Sequence, residues 1–169
     1  YGNKADIFGI KSGTMNIHAP FTTAHQLYGE ELFVLMLMDP PAARDILGKV
    51  WEIYRAVFHR IGEATGARPD RVQLGDCSAS LVSEQAYREV VLPMNQAIIA
   101  GFASAGYHSC GPSSHLLAAF AELPRVDAVE LGPGTDLRAG TKLLAGRAMR
   151  PLVDPKIMQA GSAGSVREL

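Results

Sequence analysis

The chain has 169 residues, of which 47% are hydrophobic and 20% charged, and its formal net charge is −1. This composition is typical of a folded globular domain, and it excludes a disordered chain and a basic nucleic-acid-binding surface. The longest apolar run, residues 32–38, is too short to span a bilayer, so we expect no membrane partner. Two cysteines do not suggest a disulfide framework, and a cytoplasmic location is predicted.

Predicted strands and helices alternate along the chain. A candidate strand at 15–17 and a short helix at 21–28 come first. The later strands are predicted at 71–74, 106–109, 128–131 and 148–153, with helices at 83–105, 114–123, 136–145 and from 155 onward. Such alternation predicts an α/β fold with a parallel sheet and right-handed crossovers. We therefore expect about four consecutive βα units, with further helices before them.

A long helix is predicted before the first regular unit. Asp39 followed by two prolines is an N-cap signal, the helix runs to about Glu63, and Gly66 is the expected C-cap. Apolar residues at helical spacing predict its buried stripe. These residues are Ile46, Val50, Ile53, Val57 and Ile61.

Polar side chains stand at the predicted ends of four strands. They are Asp76-Cys77, His108-Ser109-Cys110, Glu130 and Asp154. Sites of parallel α/β folds lie at the carboxyl ends of the strands, so these groups are expected to face one place. His108 and Cys110 are two apart in an extended segment and point to the same side, where imidazole and thiolate form a zinc-type pair.

Each of these residues also has a structural interpretation. Cys110 fits a small buried apolar side chain, and His108 fits a histidine that hydrogen-bonds a neighbouring loop. Asp76 and Asp154 fit caps of the helical turns that follow them, and Glu130 fits a surface position.

Several motifs along the chain resemble the uroporphyrinogen decarboxylase superfamily in sequence and in order. They are Ala19-Pro20-Phe21-Thr22, Gly75-Asp76, Tyr87, Leu92-Pro93, His108-Ser109-Cys110-Gly111, Gly132-Pro133, Thr135-Asp136-Leu137, Val153-Asp154-Pro155 and Gly161. The resemblance implies a TIM (β/α)8 barrel. Residues 1–169 would form a single partial domain, the central to C-terminal half of that barrel. The absence of an initiator Met and the helical pattern at the last residues also suggest a piece of a longer domain.

The resemblance implies two kinds of activity. The His-x-Cys-Gly motif is similar to the branch that moves a methyl group between a corrinoid and a zinc-activated thiol. In that branch His108, Cys110 and Glu130 would ligate zinc, with a further cysteine that this chain does not contain. The partners would be a corrinoid protein or free corrinoid and a small-molecule substrate. The alternative is a cofactor-independent decarboxylase of uroporphyrinogen or a similar tetrapyrrole.

Two departures from the superfamily pattern bear on this choice. Gln26 stands where the decarboxylase branch has a substrate-contacting tyrosine. Arg150-Pro151-Leu152 replaces the usual Gly-Asn before Val-Asp-Pro. A third interpretation is a catalytically silent chain, and if these 169 residues are the whole polypeptide, its open sheet edges predict a homo-oligomer.

Two further residues receive specific expectations. Asp76 is predicted to be catalytic, with its carboxylate in the barrel mouth, and an N-cap role is the competing interpretation. Cys77 is expected near the mouth, either as a buried thiol without metal or as a substitute for the missing cysteine, but not as an essential ligand. A Cys77 sulfur more than about 6 Å from that of Cys110 could not share one zinc.

Overall fold

The computed structural model describes residues 13–160, and a five-stranded parallel sheet lies at its centre. The strands are β1 (Thr14–His18), β2 (Arg71–Gly75), β3 (Ser104–Ser109), β4 (Val126–Leu131) and β5 (Ala148–Pro151), and they pair in chain order. Parallel neighbours need a crossover, and each connection here contains helix. The α/β prediction is confirmed, and the order is that of consecutive units of a TIM barrel.

The helices lie close to the predicted positions, except for a helix at 31–38 that was not predicted. They are α1 (Pro20–Tyr28), α2 (Glu31–Met38), α3 (Pro40–Thr65), α4 (Leu92–Ala100), α5 (Leu117–Ala121), α6 (Leu137–Leu143) and α7 (Pro155–Ala160). Helix α4 is preceded by a 3-10 turn at Cys77–Leu81, a short helix at Glu84–Ala86 and a π turn at Tyr87–Val91. The helix predicted to reach residue 105 ends at Ala100, because β3 already begins at Ser104. None of the helices within 13–160 has the length and apolarity that a membrane crossing requires.

Helix α3 has the predicted caps but a different buried face. The Asp39 side chain accepts a hydrogen bond from the Ala42 backbone N–H, and Gly66 ends the helix with φ of 75°. The predicted buried stripe is wrong at Ile53 and Val57, which are 62% and 47% exposed. Burial instead follows a stripe shifted around the helix. Its fully or partly buried members are Ala43, Leu47, Val50, Tyr54 and Phe58.

The two faces of the sheet differ in burial. Val72, Leu74 and Tyr107 point towards the helices and are fully buried in the core. Side chains alternate along a strand, so Gly75 and His108 face the other side. On that side a cleft of about 320 Å³ runs across the carboxyl ends of β1 to β4. This cleft corresponds to the lumen side of the barrel.

Candidate metal centre

The ends of β2 and β3 are held together by a backbone hydrogen bond. Gly75 lies opposite His108 in the parallel register, and the Asp76 N–H donates to the His108 carbonyl oxygen at 2.7 Å. This bond continues the strand pairing by one residue past β2. It fixes Cys77, the next residue, beside the end of β3.

Three side chains that could hold a metal ion meet at this point. The ligand atoms of Cys77, His108 and Cys110 all lie within 4.8 Å of one another. The separation of the two sulfurs is therefore below the limit of about 6 Å for ligands of one zinc. Two thiols and an imidazole form a soft donor set, and this set fits zinc. Cys110 is exposed, while Cys77 and His108 are partly buried.

Glu130 stands directly opposite His108 in the β3–β4 register. Its Oε2 lies 2.9 Å from Nδ1 of His108, and its Oε1 lies 3.6 Å from an Arg150 guanidinium nitrogen. A hydrogen bond at Nδ1 leaves Nε2 as the ring nitrogen free to bind a metal. Glu130 thus orients the histidine in this structure, and its predicted role as a direct ligand stays a prediction.

The Cys77 thiol is in an environment that disfavours a free thiolate. Burial, reinforced by the Cys110 thiol beside it, raises the pKa of Cys77 to about 11. A bound cation has the opposite effect, because a coordinating thiol is deprotonated by the charge of the metal.

Asp76 was predicted to face the cleft, and this prediction is wrong. Its carboxylate is fully buried on the helix side and accepts hydrogen bonds from Thr22, Asn95 and Tyr107 at 2.9 to 3.0 Å. The competing N-cap interpretation is also wrong within the described residues, because the side chain makes no cap hydrogen bond to the following turn. The strand alternation that sends Leu74 into the core sends Asp76 there as well. Its predicted catalytic role remains without support from this geometry.

The buried carboxylate belongs to a small polar network. The Tyr87 and Tyr107 hydroxyls lie 2.9 Å apart, and Asn95 Nδ2 also reaches Tyr87. Burial raises the pKa of Asp76, and the hydrogen bonds from Asn95, Tyr107 and Thr22 oppose this rise. Burial likewise raises the pKa of both tyrosines, with the Asp76 charge adding to it. The network joins α1, β2, β3 and α4 directly beneath the cysteine and histidine cluster.

Most of the side chains that line the cleft around the cluster carry a polar group. Within the described part of the chain its lining contains no lysine or arginine. The lining residues are Asn16, Ile17, His18, Gln73, Gly75, Cys77, His108 and Glu130. A ligand in this cleft therefore meets imidazole, thiol, amide and carboxylate groups.

Sequence reasoning missed several contacts near the cluster. The His25 ring nitrogen Nδ1 lies 2.9 Å from Ser78 Oγ, and the Thr22 hydroxyl accepts from the Ser78 N–H. No spacing rule links residues more than fifty positions apart, so these contacts had no local signal. Asp154, by contrast, does not line this cleft, and its side chain accepts from the Lys156 N–H, in agreement with the capping interpretation.

The fold is that of consecutive units of a β/α barrel, with a cluster of polar side chains at the carboxyl ends of the strands. The family profile described as Uroporphyrinogen decarboxylase (URO-D) matches residues 14–169. The chain therefore belongs to the uroporphyrinogen decarboxylase family, a family of TIM-barrel enzymes. No individual curated protein matches the sequence.

Proposed function

We propose that this enzyme is a methyltransferase that moves a methyl group between a corrinoid and a zinc-activated thiol. His108 and Cys110 are the proposed ligands from the sequence motif. The observation that carries the proposal is the meeting of imidazole and thiol groups at the strand ends, where Glu130 holds Nδ1 of the histidine. A histidine oriented in this way by a carboxylate is the usual arrangement at zinc sites.

The chemistry follows from the properties of thiols. A free thiol has a pKa near about 8.5, and the thiolate is the nucleophile. Zinc supplies the charge that keeps a coordinated substrate thiol deprotonated. The chain's own residues would then position the thiolate for attack on the methyl carbon of the corrinoid. The sulfur–carbon bond would form as the cobalt–carbon bond breaks, and the corrinoid would leave with that electron pair as the cob(I) form.

The charged groups that line the described part of the cleft are one reason to propose methyl transfer before decarboxylation. The family's own description favours the alternative, a decarboxylase of uroporphyrinogen or a similar tetrapyrrole. Such a substrate carries many carboxylates, and an apposed cation is the group that stabilises a carboxylate in a site. The described lining contains Glu130 but no lysine or arginine that could pair with a substrate carboxylate. The nearby Arg150 guanidinium lies 3.6 Å from Oε1 of Glu130 and forms an ion pair with it.

The test uses the full-length protein with methylcobalamin as methyl donor and 2-mercaptoethanol as acceptor. We expect zinc-dependent loss of the methylcobalamin absorbance, reduced at least about 100-fold by Cys110→Ser. Glu89→Gln, an exposed change on the π turn, is the control and should leave the rate unchanged. Turnover of uroporphyrinogen without metal, together with no methyl transfer, would instead establish the decarboxylase.

A further inference from the structure

We propose that Cys77 is the third protein ligand of this centre, which makes it a two-thiolate, one-imidazole site formed entirely by the ends of β2 and β3. The inference rests on the proposed function only for the identity of the metal as zinc. It replaces the expectation that Cys77 is not an essential ligand, and it does not need a cysteine from elsewhere.

The distances between the ligand atoms are close to those of a coordinated metal. A tetrahedral zinc with Zn–S bonds of about 2.3 Å and Zn–N bonds of about 2.0 Å separates its ligand atoms by about 3.5 to 3.8 Å. In this structure the three ligand atoms lie within 4.8 Å of one another. Side-chain rotations alone can close a difference of about 1 Å, so no movement of the strands is required.

The backbone holds Cys77 in place. The Asp76 N–H bonds to the His108 carbonyl, while the Asp76 carboxylate is tied to Thr22, Asn95 and Tyr107. The residue before Cys77 is thus fixed to the strand that carries the other two ligands. The Ser78 N–H after it donates to Thr22 Oγ1. Cys77 therefore sits between two anchored residues, as a metal ligand does in a preorganised site.

Glu130 is a weaker candidate for the third position. Its Oε2 is engaged by the His108 ring, and its Oε1 faces Arg150. Ligation by Glu130 would release the histidine from the contact that orients it. The Cys77 thiol, by contrast, lies within 4.8 Å of the Cys110 thiol, which is itself one of the proposed ligands.

Three protein ligands leave one tetrahedral position open, which is the pattern of catalytic zinc rather than structural zinc. Cys77 and His108 both line the lumen cleft, so the open position faces the space available to a substrate. The third ligand therefore does not block the proposed reaction.

The number of sulfur ligands tests the proposal directly. X-ray absorption of the zinc-loaded full-length protein, without substrate, should show two sulfur ligands, and Cys77→Ser should show one. We expect Cys77→Ser to weaken zinc binding by at least about 10-fold and Glu89→Gln to leave it unchanged. A Cys77→Ser protein that keeps two sulfurs and unchanged zinc affinity would overturn the inference.

A second measurement needs no substitution. Zinc should slow iodoacetamide alkylation of Cys77, read by mass spectrometry of the peptide that contains it, by about 10-fold or more. Equal alkylation of Cys77 with and without zinc would overturn the proposal even if the variants fail to fold. Both readouts are independent of methyl transfer. Zinc bound through Cys77 without transfer would refute the proposed function alone, and transfer with an unprotected Cys77 would refute this inference alone.

Discussion

Gly132 controls the position of Cys110 through a backbone contact. A Cβ atom built on Gly132 would clash with the carbonyl oxygen and the carbonyl carbon of Cys110. Backbone cannot move aside as the end of a flexible side chain can. Glycine at this position therefore allows the loops after β3 and β4 to touch where the cluster forms.

We expect Gly132→Ala to displace the 110–111 backbone and to weaken zinc binding by at least about 10-fold, with a loss of stability of about 1 to 3 kcal/mol. Gly48→Ala in the middle of α3 is the matched control, because its Cβ would meet only a methionine methyl group at 4.0 Å. That change should stabilise the protein by about 0.5 to 1 kcal/mol. Zinc titration and denaturant unfolding measure both effects, and unchanged zinc affinity in Gly132→Ala would contradict the argument.

Glu130→Gln tests whether this residue orients His108. Glutamine retains an acceptor oxygen but lacks the charge, so zinc affinity should fall by about 10- to 100-fold. The absorption spectrum of the cobalt-substituted protein separates this role from ligation. It should keep its sulfur charge-transfer bands and coordination number in the variant, whereas loss of one oxygen ligand would show that Glu130 binds the metal itself.

The residues of the centre differ in how far the sequence could predict them. His108 and Cys110 are two apart at the end of a strand, so their shared direction follows from local geometry alone. The closeness of Cys77 to them depends on the β2–β3 register and on one backbone hydrogen bond. The burial of Asp76 depends on which face of β2 meets the helices. Neither the β2–β3 register nor the buried face of β2 can be predicted from the spacing of residues along the sequence.

At the scale of elements, Asp76 connects one strand to its neighbour and to two helices. Asparagine at this position would keep one acceptor oxygen, but its NH2 group would replace the other. That group cannot accept hydrogen bonds from the donors that already point at this position. We expect Asp76→Asn to cost about 1 to 3 kcal/mol in the free energy of unfolding.

Tyr107→Phe is the comparison for Asp76→Asn, because it removes one donor and leaves the other two. It should cost about 1 kcal/mol. Denaturant unfolding of both variants checks the order. An Asp76→Asn protein as stable as the wild type would show that the network does not stabilise the junction.

The Arg71–Asp127 pair joins the beginning of β2 to the beginning of β4 across β3. The guanidinium contacts both carboxylate oxygens of Asp127 and also Ser104. Hydrogen bonding and the charge of Arg71 lower the pKa of Asp127 below its ordinary value of 3.8. When folding lowers the pKa of a carboxyl group, the ionised group stabilises the folded state at every pH above its ordinary pKa. This stabilisation is lost as the pH falls through the lowered pKa.

We therefore expect Asp127→Asn to destabilise the protein at pH 7 by only about 0.2 to 1 kcal/mol, since the Asp127 side chain is 54% exposed. The difference from the wild type should shrink as the pH is lowered below about 4. Urea unfolding at pH 7 and at low pH measures it. A difference that stays constant over this range would exclude the ion pair as its source.

Helix α3 shows why an element is predicted more securely than its buried face. Its caps and length depend on local residues, and they were predicted correctly. Two apolar stripes with helical spacing run side by side along it, and only the neighbouring helices decide which one is buried. The observed face packs towards α1, α2 and the π turn before α4.

At the scale of the whole molecule, alternating strands and helices were sufficient to predict a parallel sheet, while its strand order agrees with the barrel that the motif resemblance implied. Each parallel neighbour requires a helical crossover of one hand, so few arrangements are compatible with the pattern. The motif resemblance predicted the barrel family, and the match over residues 14–169 confirms the family. The choice between methyl transfer and decarboxylation depends on a few side chains in the cleft, which the fold leaves open.

The Asp76–His108 backbone bond places the three proposed ligands at the ends of a chain segment of roughly 30 residues. A metal bound there would act as a cross-link that closes this segment as a loop, and it would lower the entropy of the unfolded chain if it stayed attached. A metal bound only by the native state should stabilise the fold by about 2.7 kcal/mol at a free concentration 100 times its Kd. The same ion that activates a thiol would then also govern how often β2 and β3 come apart.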